Sequence, residues 1–154
     1  MKNFYEKGIS VIEMLVTVAI IGILVTIALP QFSKMKENQV FKNAIEEIMS
    51  ALHNAQSQSL ASTNSSEYGV YFQPDLIVIF KGKTFSPEST DNTINIIPPA
   101  NISNVFLDGN SSTTGDIYFQ RLSGAPSKTG TVTVSTPSYS KIITISVTGA
   151  VSVN

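Results

Sequence analysis

A single acid, Glu13, interrupts the longest apolar stretch of this 154-residue chain. The stretch runs from Ile9 to Leu29 and contains no other charged residue. A charge in an apolar, membrane-like environment costs a few kcal/mol, about 2.5 to 3.5 for aspartate or a basic residue on insertion scales, so it normally has a partner and a role. The sequence therefore predicts that Glu13 has a partner and a function, and leaves open which partner.

The other residues that could carry chemistry are few. The chain has no cysteine and a single histidine, His53. One histidine cannot build an ordinary zinc site, and no nucleophile-elbow motif supplies the serine of a Ser-His-Asp triad. We therefore expect a surface or packing role for His53, and neither enzyme activity nor a metal or other cofactor.

Asp108-Gly109-Asn110, with Asp116 nearby, faintly resembles a calcium loop. It lacks the glycine and the terminal glutamate of an EF-hand, so a turn is the preferred interpretation and calcium binding the alternative. Asn64, Asn101 and Asn110 each begin an Asn-x-Ser triplet, which is weak evidence for glycosylation in a sequence rich in Asn and Ser.

The apolar stretch has the length of a membrane helix. Its 21 residues would span about 31 Å as a helix, the thickness of a bilayer core. An ordinary secretory signal has a small-residue cleavage site after its apolar segment, whereas here Gly8 precedes it and Pro30 follows. A peptidase acting on this chain would cut on the near side and leave the helix in the mature protein. Flanking lysines do not orient the segment, because they occur on both sides: Lys2, Lys7, Lys34, Lys36 and Lys42.

A second helical pattern follows the apolar stretch. Apolar residues recur at spacings of three and four, which predicts an amphipathic helix to about Ser62: Phe41, Ala44, Ile45, Ile48, Met49, Leu52 and Ala55. Pro30 would remove one backbone hydrogen bond and collide with the carbonyl of Thr26, so we expect a kink there and a weak helix between Gly22 and Pro30.

The remaining residues have the pattern of antiparallel strands. Tyr68–Gln73 and 76–80 flank Pro74-Asp75 and predict a hairpin, with 77–79 covered on both faces. The alternation of Val132 and Val134, and of Ile143, Ile145 and Val147, predicts half-buried strands, with a Gly149 turn before a last strand at 151–153. We expect residues 81–115 to form loops with one or two weak strands. The predicted organisation is α+β: a leader at 1–8, a membrane and assembly helix at 9–29, its amphipathic continuation at 30–62 and a β-rich head at 63–154.

The stretch Lys7-Gly8-Ile9-Ser10-Val11-Ile12-Glu13, followed by an apolar helix and Pro30, resembles the amino-terminal signal of type IV pilins and type II secretion pseudopilins. The resemblance implies that a prepilin peptidase cuts between Gly8 and Ile9 and methylates the amino group of Ile9. Ile9 and Ser10 depart mildly from the more frequent Phe and Thr.

The resemblance also implies a partner for Glu13. Residues four apart share a helix face, so the amino group freed at Ile9 can approach Glu13 of its own chain or, in the family, of the next subunit in a filament. An ammonium and a carboxylate that meet in an apolar bundle satisfy each other. Glu13 and Pro30 are accordingly the expected assembly residues. The alternative for Glu13 is protonation, or a position near enough to the helix end to reach the interface.

Within the family, the head resembles the GspH/FimT-like minor-subunit branch in 52–60, Ile117-Tyr118-Phe119 ahead of Gly124, 131–135 and 143–149. This implies a structural subunit of a type II secretion pseudopilus or a type IV pilus, machines that share this architecture. The expected partners are other subunits, the prepilin peptidase, the assembly platform of the bacterial inner membrane and the lipid bilayer. The expected location is a single pass through that membrane with the head outside the cytoplasm.

The alternative function is that of a FimT-like minor pilin that binds DNA for natural transformation. The branch uses basic residues of the carboxyl-terminal tail for this, but the tail 149–154 contains none. The net charge is −1, so no general attraction for nucleic acid exists, and the head has few basic residues: Lys81, Lys83, Arg121, Lys128 and Lys141. Nucleic acid is not an expected partner, and we predict no DNA-binding residues.

Overall fold

The backbone changes from a long helix to antiparallel strands shortly after residue 60. The computed structural model describes residues 8–154, apart from the side chain of Leu29, so most of the expected leader lies outside the described residues. Helix α1 is Val11–Leu60, and the strands are β1 (Tyr68–Phe72), β2 (Leu76–Lys81), β3 (Thr90–Asn95), β4 (Asn101–Leu107), β5 (Asn110–Ser112), β6 (Gly115–Phe119), β7 (Gly130–Ser135), β8 (Ser140–Ile145) and β9 (Val151–Val153). Short 3-10 turns occur at Thr63–Ser65 and Pro87–Ser89. The α+β prediction is confirmed.

The chain divides into two units, one ending at Lys36 and the other spanning Glu37–Asn154. In the first unit, α1 continues through Pro30 without interruption. The kink at Pro30 and the weak helix between Gly22 and Pro30 stay predictions, and we expect this weakness to appear as unwinding of the segment in an assembled filament. The large apolar side chains of this unit are exposed, among them Ile12, Leu15, Val18, Ile21, Leu24, Ile27 and Phe32. An 18-residue window of α1 has a mean hydropathy of 2.6, so α1 is long and apolar enough to cross a membrane.

The second unit is built around the remainder of α1. The predicted apolar stripe is confirmed, because six of its residues are buried in one core together with side chains from both sheets: Phe41, Ala44, Ile45, Ile48, Leu52 and Ala55. Met49 of the stripe is only partly buried against this core, and Ala51, which was not predicted, is buried in it. The helix ends at Leu60, where the sequence predicted about Ser62. Long helices in proteins gain most of their stability from packing such a stripe, so burial rather than propensity fixes this half of α1.

The strands form two antiparallel sheets. The first sheet has the order β3-β2-β1-β6 and the second sheet β5-β4-β7-β8-β9. The predicted β1–β2 hairpin is confirmed, with Val70 opposite Ile79. Both faces of β2 are covered, because Ile77, Val78, Ile79 and Phe80 are all buried.

The outer face of the first sheet has an aromatic cover. Phe85, in the loop after β2, stacks on Tyr71 with ring centroids 4.1 Å apart and meets the edge of Phe80 at 5.8 Å. The Phe80 ring lies over Gly69, where an added Cβ would come within 2.4 Å of its Cζ atom. A glycine is therefore required beneath the aromatic cover.

The carboxyl-terminal strands follow the prediction except at one residue. Val132 and Val134 of β7 and Ile143 and Ile145 of β8 are buried, and β9 pairs with β8. The inclusion of Val147 in the strand pattern was wrong. The strand ends at Ile145. Val147 lies in the following turn and is 75% exposed. The Ser146 amide closes this turn by donating to the Ala150 carbonyl at 3.0 Å.

Residues 81–115 contain more strand than the sequence indicated. They supply β3, β4 and β5, and β4 lies between β5 and β7 in the second sheet. The prediction of loops with one or two weak strands was wrong, because a register shift between Ile102 and Asn104 breaks the alternation along β4. Burial falls on Ile102, Val105 and Leu107 instead of every second residue. Strand β3 has almost no apolar signal because it is an exposed edge strand paired only with β2.

Candidate assembly site

The amino-terminal end of α1 presents the predicted processing residues to solvent. Gly8, Ile9 and Ser10 precede the helix and are exposed, with Ile9 at 81%. The helix begins at Val11, and the Met14 amide donates to the Ser10 carbonyl at 3.1 Å. The Gly8–Ile9 bond therefore lies in exposed, non-helical backbone that precedes the helix.

Glu13 lies in the first turn of α1 and is exposed. The partial positive charge at a helix amino terminus favours a carboxylate there, but this effect contributes only about 0.3 to 1 kcal/mol. Ile9, Ser10, Met14 and Thr17 line a shallow groove beside it. Within residues 8–154, Glu13 has no ion-pair partner.

The hydroxyl groups of the same segment are satisfied by their own helix. Thr17 Oγ1 donates to the Met14 carbonyl at 2.8 Å, and Thr26 Oγ1 donates to the Ile23 carbonyl at 2.7 Å. These threonines can enter an apolar environment without outside partners, since buried hydroxyls need only one good hydrogen bond. Glu13 differs from them because its charge calls for a cation in such an environment.

The structure brings some of the predicted site residues together and leaves one apart. Gly8, Ile9 and Glu13 lie within the first residues of the helical unit, with Glu13 one turn beyond the residue whose amino group processing would free. Pro30 lies farther along the helix, exposed and inside continuous α1. Pro30 therefore lies on the same helix as Glu13 but apart from the cluster of Gly8, Ile9 and Glu13.

The other residues singled out in the sequence have structural surroundings. His53 is exposed on α1. Asp108 and Gly109 adopt left-handed conformations, with φ of 48° and 83°, in the predicted turn between β4 and β5. Asp108 Oδ1 accepts the Thr129 amide at 3.0 Å, and Asp116 pairs with Lys128 at 2.8 Å. In the part of the chain that the structure describes, no three His, Cys, Asp or Glu residues cluster as metal ligands.

Three of the basic residues of the head have partners of their own. Lys128 also donates to the Asp116 carbonyl at 3.0 Å, and Arg121 Nη1 donates to the Ser65 carbonyl at 2.9 Å. Lys83 lies 3.8 Å from a carboxylate oxygen of Glu67. Phosphate contacts would compete with these interactions.

Sequence reasoning missed the polar contacts that fasten the strands to α1. Gln56 Nε2 donates to the Gly124 carbonyl at 3.0 Å, and the Leu122 amide donates to the Ser59 carbonyl at 3.0 Å. The buried Ser59 hydroxyl accepts the Tyr68 amide at 2.8 Å. Polar residues inside an otherwise amphipathic pattern were the available signal, but hydropathy does not reveal which distant carbonyl or amide they meet.

Comparison with known proteins agrees with this geometry. Residues 3–29 match the family described as "Prokaryotic N-terminal methylation motif". Two fimbrial proteins of Pseudomonas aeruginosa are each 30% identical to the chain over 95 residues, which is 56% of this chain and 61% of the relative. The match thus spans less than two thirds of the length of these relatives. No solved structure matches the chain.

The described chain thus combines a match to an amino-terminal methylation motif with an exposed apolar helix and an antiparallel β head. The signal, the similarity to the fimbrial proteins and the α+β architecture support the type IV pilin family for this chain. The signal and the apolar helix fit a membrane-anchored pilin.

Proposed function

We propose that this chain is a minor pilin or pseudopilin, a structural subunit of a type IV pilus or a type II secretion pseudopilus. A prepilin peptidase cuts it after Gly8 and methylates the amino group of Ile9. The apolar part of α1 then holds the subunit in the bacterial inner membrane until the assembly platform moves it into a filament. The head lies outside the cytoplasm.

The observation that carries this proposal is the position of Glu13. It is an exposed carboxylate, one turn beyond Ile9, in a segment whose other side chains are uncharged. In a bundle of such helices, a carboxylate without a cation would oppose packing, whereas a carboxylate with an ammonium at close range is tolerated. Cleavage after Gly8 creates that ammonium at Ile9, so processing and packing are coupled by one ion pair.

The role we propose is structural and not catalytic. The apolar part of α1 is exposed in the described chain, and the core is filled by apolar side chains. Membership of the GspH/FimT-like minor branch is part of this proposal, on the basis of the helix end 52–60 and the closing strands. Loops of the head then supply contacts that differ between subunits.

The test begins with processing. The chain is co-expressed with a prepilin peptidase, and its amino terminus is determined by mass spectrometry. We expect a mature chain that begins at methylated Ile9. Gly8→Val should abolish cleavage, because a branched side chain would occupy the position where the family has glycine.

Gly22→Ala is the matched control, because Gly22 lies within the helix and has no atom within 4 Å of an added Cβ. This variant should be processed like the wild-type chain. The sheared filament fraction of cells with the complete machine should contain the mature chain. An uncut chain in the presence of active peptidase, or a mature chain that never enters filaments, would contradict the proposal.

A further inference from the structure

The three Asn-x-Ser triplets of the head differ in how far their side chains are available for modification. Such a triplet is the acceptor signal for an N-linked glycan, and it is used where the asparagine lies on an accessible loop or turn. The transferase must reach the asparagine amide nitrogen and the hydroxyl two residues later. The structure therefore permits a choice among Asn64, Asn101 and Asn110.

Asn64 and Asn101 are already engaged. Asn64 Nδ2 donates to the Tyr68 hydroxyl at 3.1 Å in a partly buried position. Asn101 Oδ1 accepts the Ser135 hydroxyl at 2.9 Å across the β4–β7 pair. The hydroxyl of Ser103, two residues after Asn101, faces the Thr133 carbonyl at 3.3 Å. Modification at Asn64 would require its Nδ2 contact to break. At Asn101, the Ser103 hydroxyl would have to leave the Thr133 carbonyl, and the Oδ1 contact holds the amide against β7.

Asn110 has different surroundings. All three asparagines are exposed, but only Asn110 directly follows the tight turn at Asp108 and Gly109. Its Nδ2 atom has one protein acceptor, the Asp108 carbonyl, at 3.5 Å, which is long for a hydrogen bond. Ser112 is also exposed, and its hydroxyl meets only the Thr114 amide at 3.3 Å.

We propose that Asn110 is the acceptor of an N-linked glycan. The donor class is a polyprenyl-diphosphate-linked oligosaccharide of the membrane. The bond between Asn110 Nδ2 and C1 of the first sugar forms, the bond between C1 and the diphosphate oxygen breaks, an amide proton passes to a base of the transferase, and the polyprenyl diphosphate leaves. This inference rests on the proposed function, because the transfer takes place on the side of the membrane where we place the head.

The position has a physical consequence for the fold. Strand β5 is the last strand at one end of the second sheet and consists of Asn110–Ser112. An unprotected sheet edge invites pairing with another chain. A glycan on the first residue of β5 would cover this edge with hydrated sugar and hinder its pairing with another chain.

The experiment uses the full chain purified from the cells that naturally produce it. Intact mass and tandem mass spectrometry locate any sugar, and the same data report whether Ile9 is the methylated amino terminus. We expect a glycan on Asn110 and complete loss of that mass increment in Asn110→Gln and Ser112→Ala. Three matched controls should retain the glycan: Ser111→Ala at the middle position of the triplet, Asn64→Gln and Asn101→Gln.

An Asn110 peptide without sugar would overturn the inference, as would a sugar on Asn64, on Asn101 or on a hydroxyl of residues 111–114 in its place. The amino terminus separates this failure from failure of the proposed function. Bare Asn110 in a chain with methylated Ile9 overturns only the glycan, whereas bare Asn110 in an uncut chain counts against both.

Discussion

Glu37 of α1 accepts two hydrogen bonds from Ser138, a residue 101 positions later in the turn between β7 and β8. Its Oε1 atom is 2.8 Å from the Ser138 amide nitrogen, and its Oε2 atom is 3.1 Å from the Ser138 hydroxyl. Beside this contact, the rings of Phe41 and Tyr139 stack with centroids 5.7 Å apart. One turn of the second sheet is thereby fastened to the first residues of α1 that belong to the head.

We expect Glu37→Gln to lower the free energy of unfolding of the head by about 1 kcal/mol. Hydrogen bonds to a charged acceptor contribute about 1.5 to 3 kcal/mol, and solvent screening at this half-exposed site reduces the effect. Thermal unfolding of the full chain in detergent measures it. Glu46→Gln, at an exposed position of the same helix, should stay within about 0.5 kcal/mol of wild type. Equal losses in the two variants would show that the contact with Ser138 is not the cause.

Leu52→Ala should cost about 2 to 5 kcal/mol, because the Leu52 side chain is fully buried and its removal leaves a cavity. Its neighbour His53 is exposed, so His53→Ala should change stability by less than about 0.5 kcal/mol. Chemical denaturation of both variants makes the comparison. A large loss for His53→Ala would contradict the surface role given to the single histidine.

Gly69→Ala should destabilise the head by about 1 to 3 kcal/mol through overpacking. An added Cβ would come within 2.4 Å of Phe80 Cζ and 2.5 Å of the Ile117 carbonyl oxygen. The carbonyl belongs to β6, so relief requires a backbone shift as well as a turned ring. A second variant, Gly69→Ala with Phe80→Leu, should recover only part of the loss. Full recovery of the lost stability would show that the clash with the Phe80 ring alone causes the loss.

The segment between Gly22 and Pro30 should exchange its amides faster in assembled filaments than the buried turns from Ala44 to Ala55. Pro30 supplies no donor to the Thr26 carbonyl, and glycine weakens a helix interior by about 1 kcal/mol relative to alanine. Gly22→Ala should therefore slow exchange in this segment about fivefold. Hydrogen exchange followed by mass spectrometry provides the rates. Strong protection throughout residues 22–30 of the wild-type filament would refute the expected unwinding.

Much of this fold can be predicted from the spacing at which apolar residues recur in the sequence. The α1 stripe, the β1–β2 hairpin and the final strands were all predicted, because their apolar residues recur at the helix or strand period. Strand β4 was underestimated because its register shift between Ile102 and Asn104 breaks that period. Strand β3 was underestimated because backbone pairing with β2 defines it, and an exposed edge needs no apolar residues.

The candidate site divides in the same way. Gly8, Ile9 and Glu13 could be proposed from sequence because the chemistry expected of them is local: a small residue before the predicted cut, the amino group that this cut would free, and an acid one turn later. The contact between Glu37 and Ser138 could not be found in this manner. It joins an acid on α1 to a serine that lies 101 residues later in a polar turn, and only the folded chain brings them together.

The account depends most directly on the pairing of Glu13 with the amino group of Ile9. The decisive measurement is the amount of mature chain in sheared filaments of cells that carry Glu13→Gln, relative to wild type and to Thr17→Ala. Thr17 lies one turn beyond Glu13, and its hydroxyl is bound to its own helix, so its loss should leave assembly unchanged. We predict that Glu13→Gln is cleaved after Gly8 and stays in the membrane but enters filaments at least about tenfold less, since a tenfold change corresponds to about 1.4 kcal/mol. Incorporation of this variant at the wild-type level would contradict the central claim.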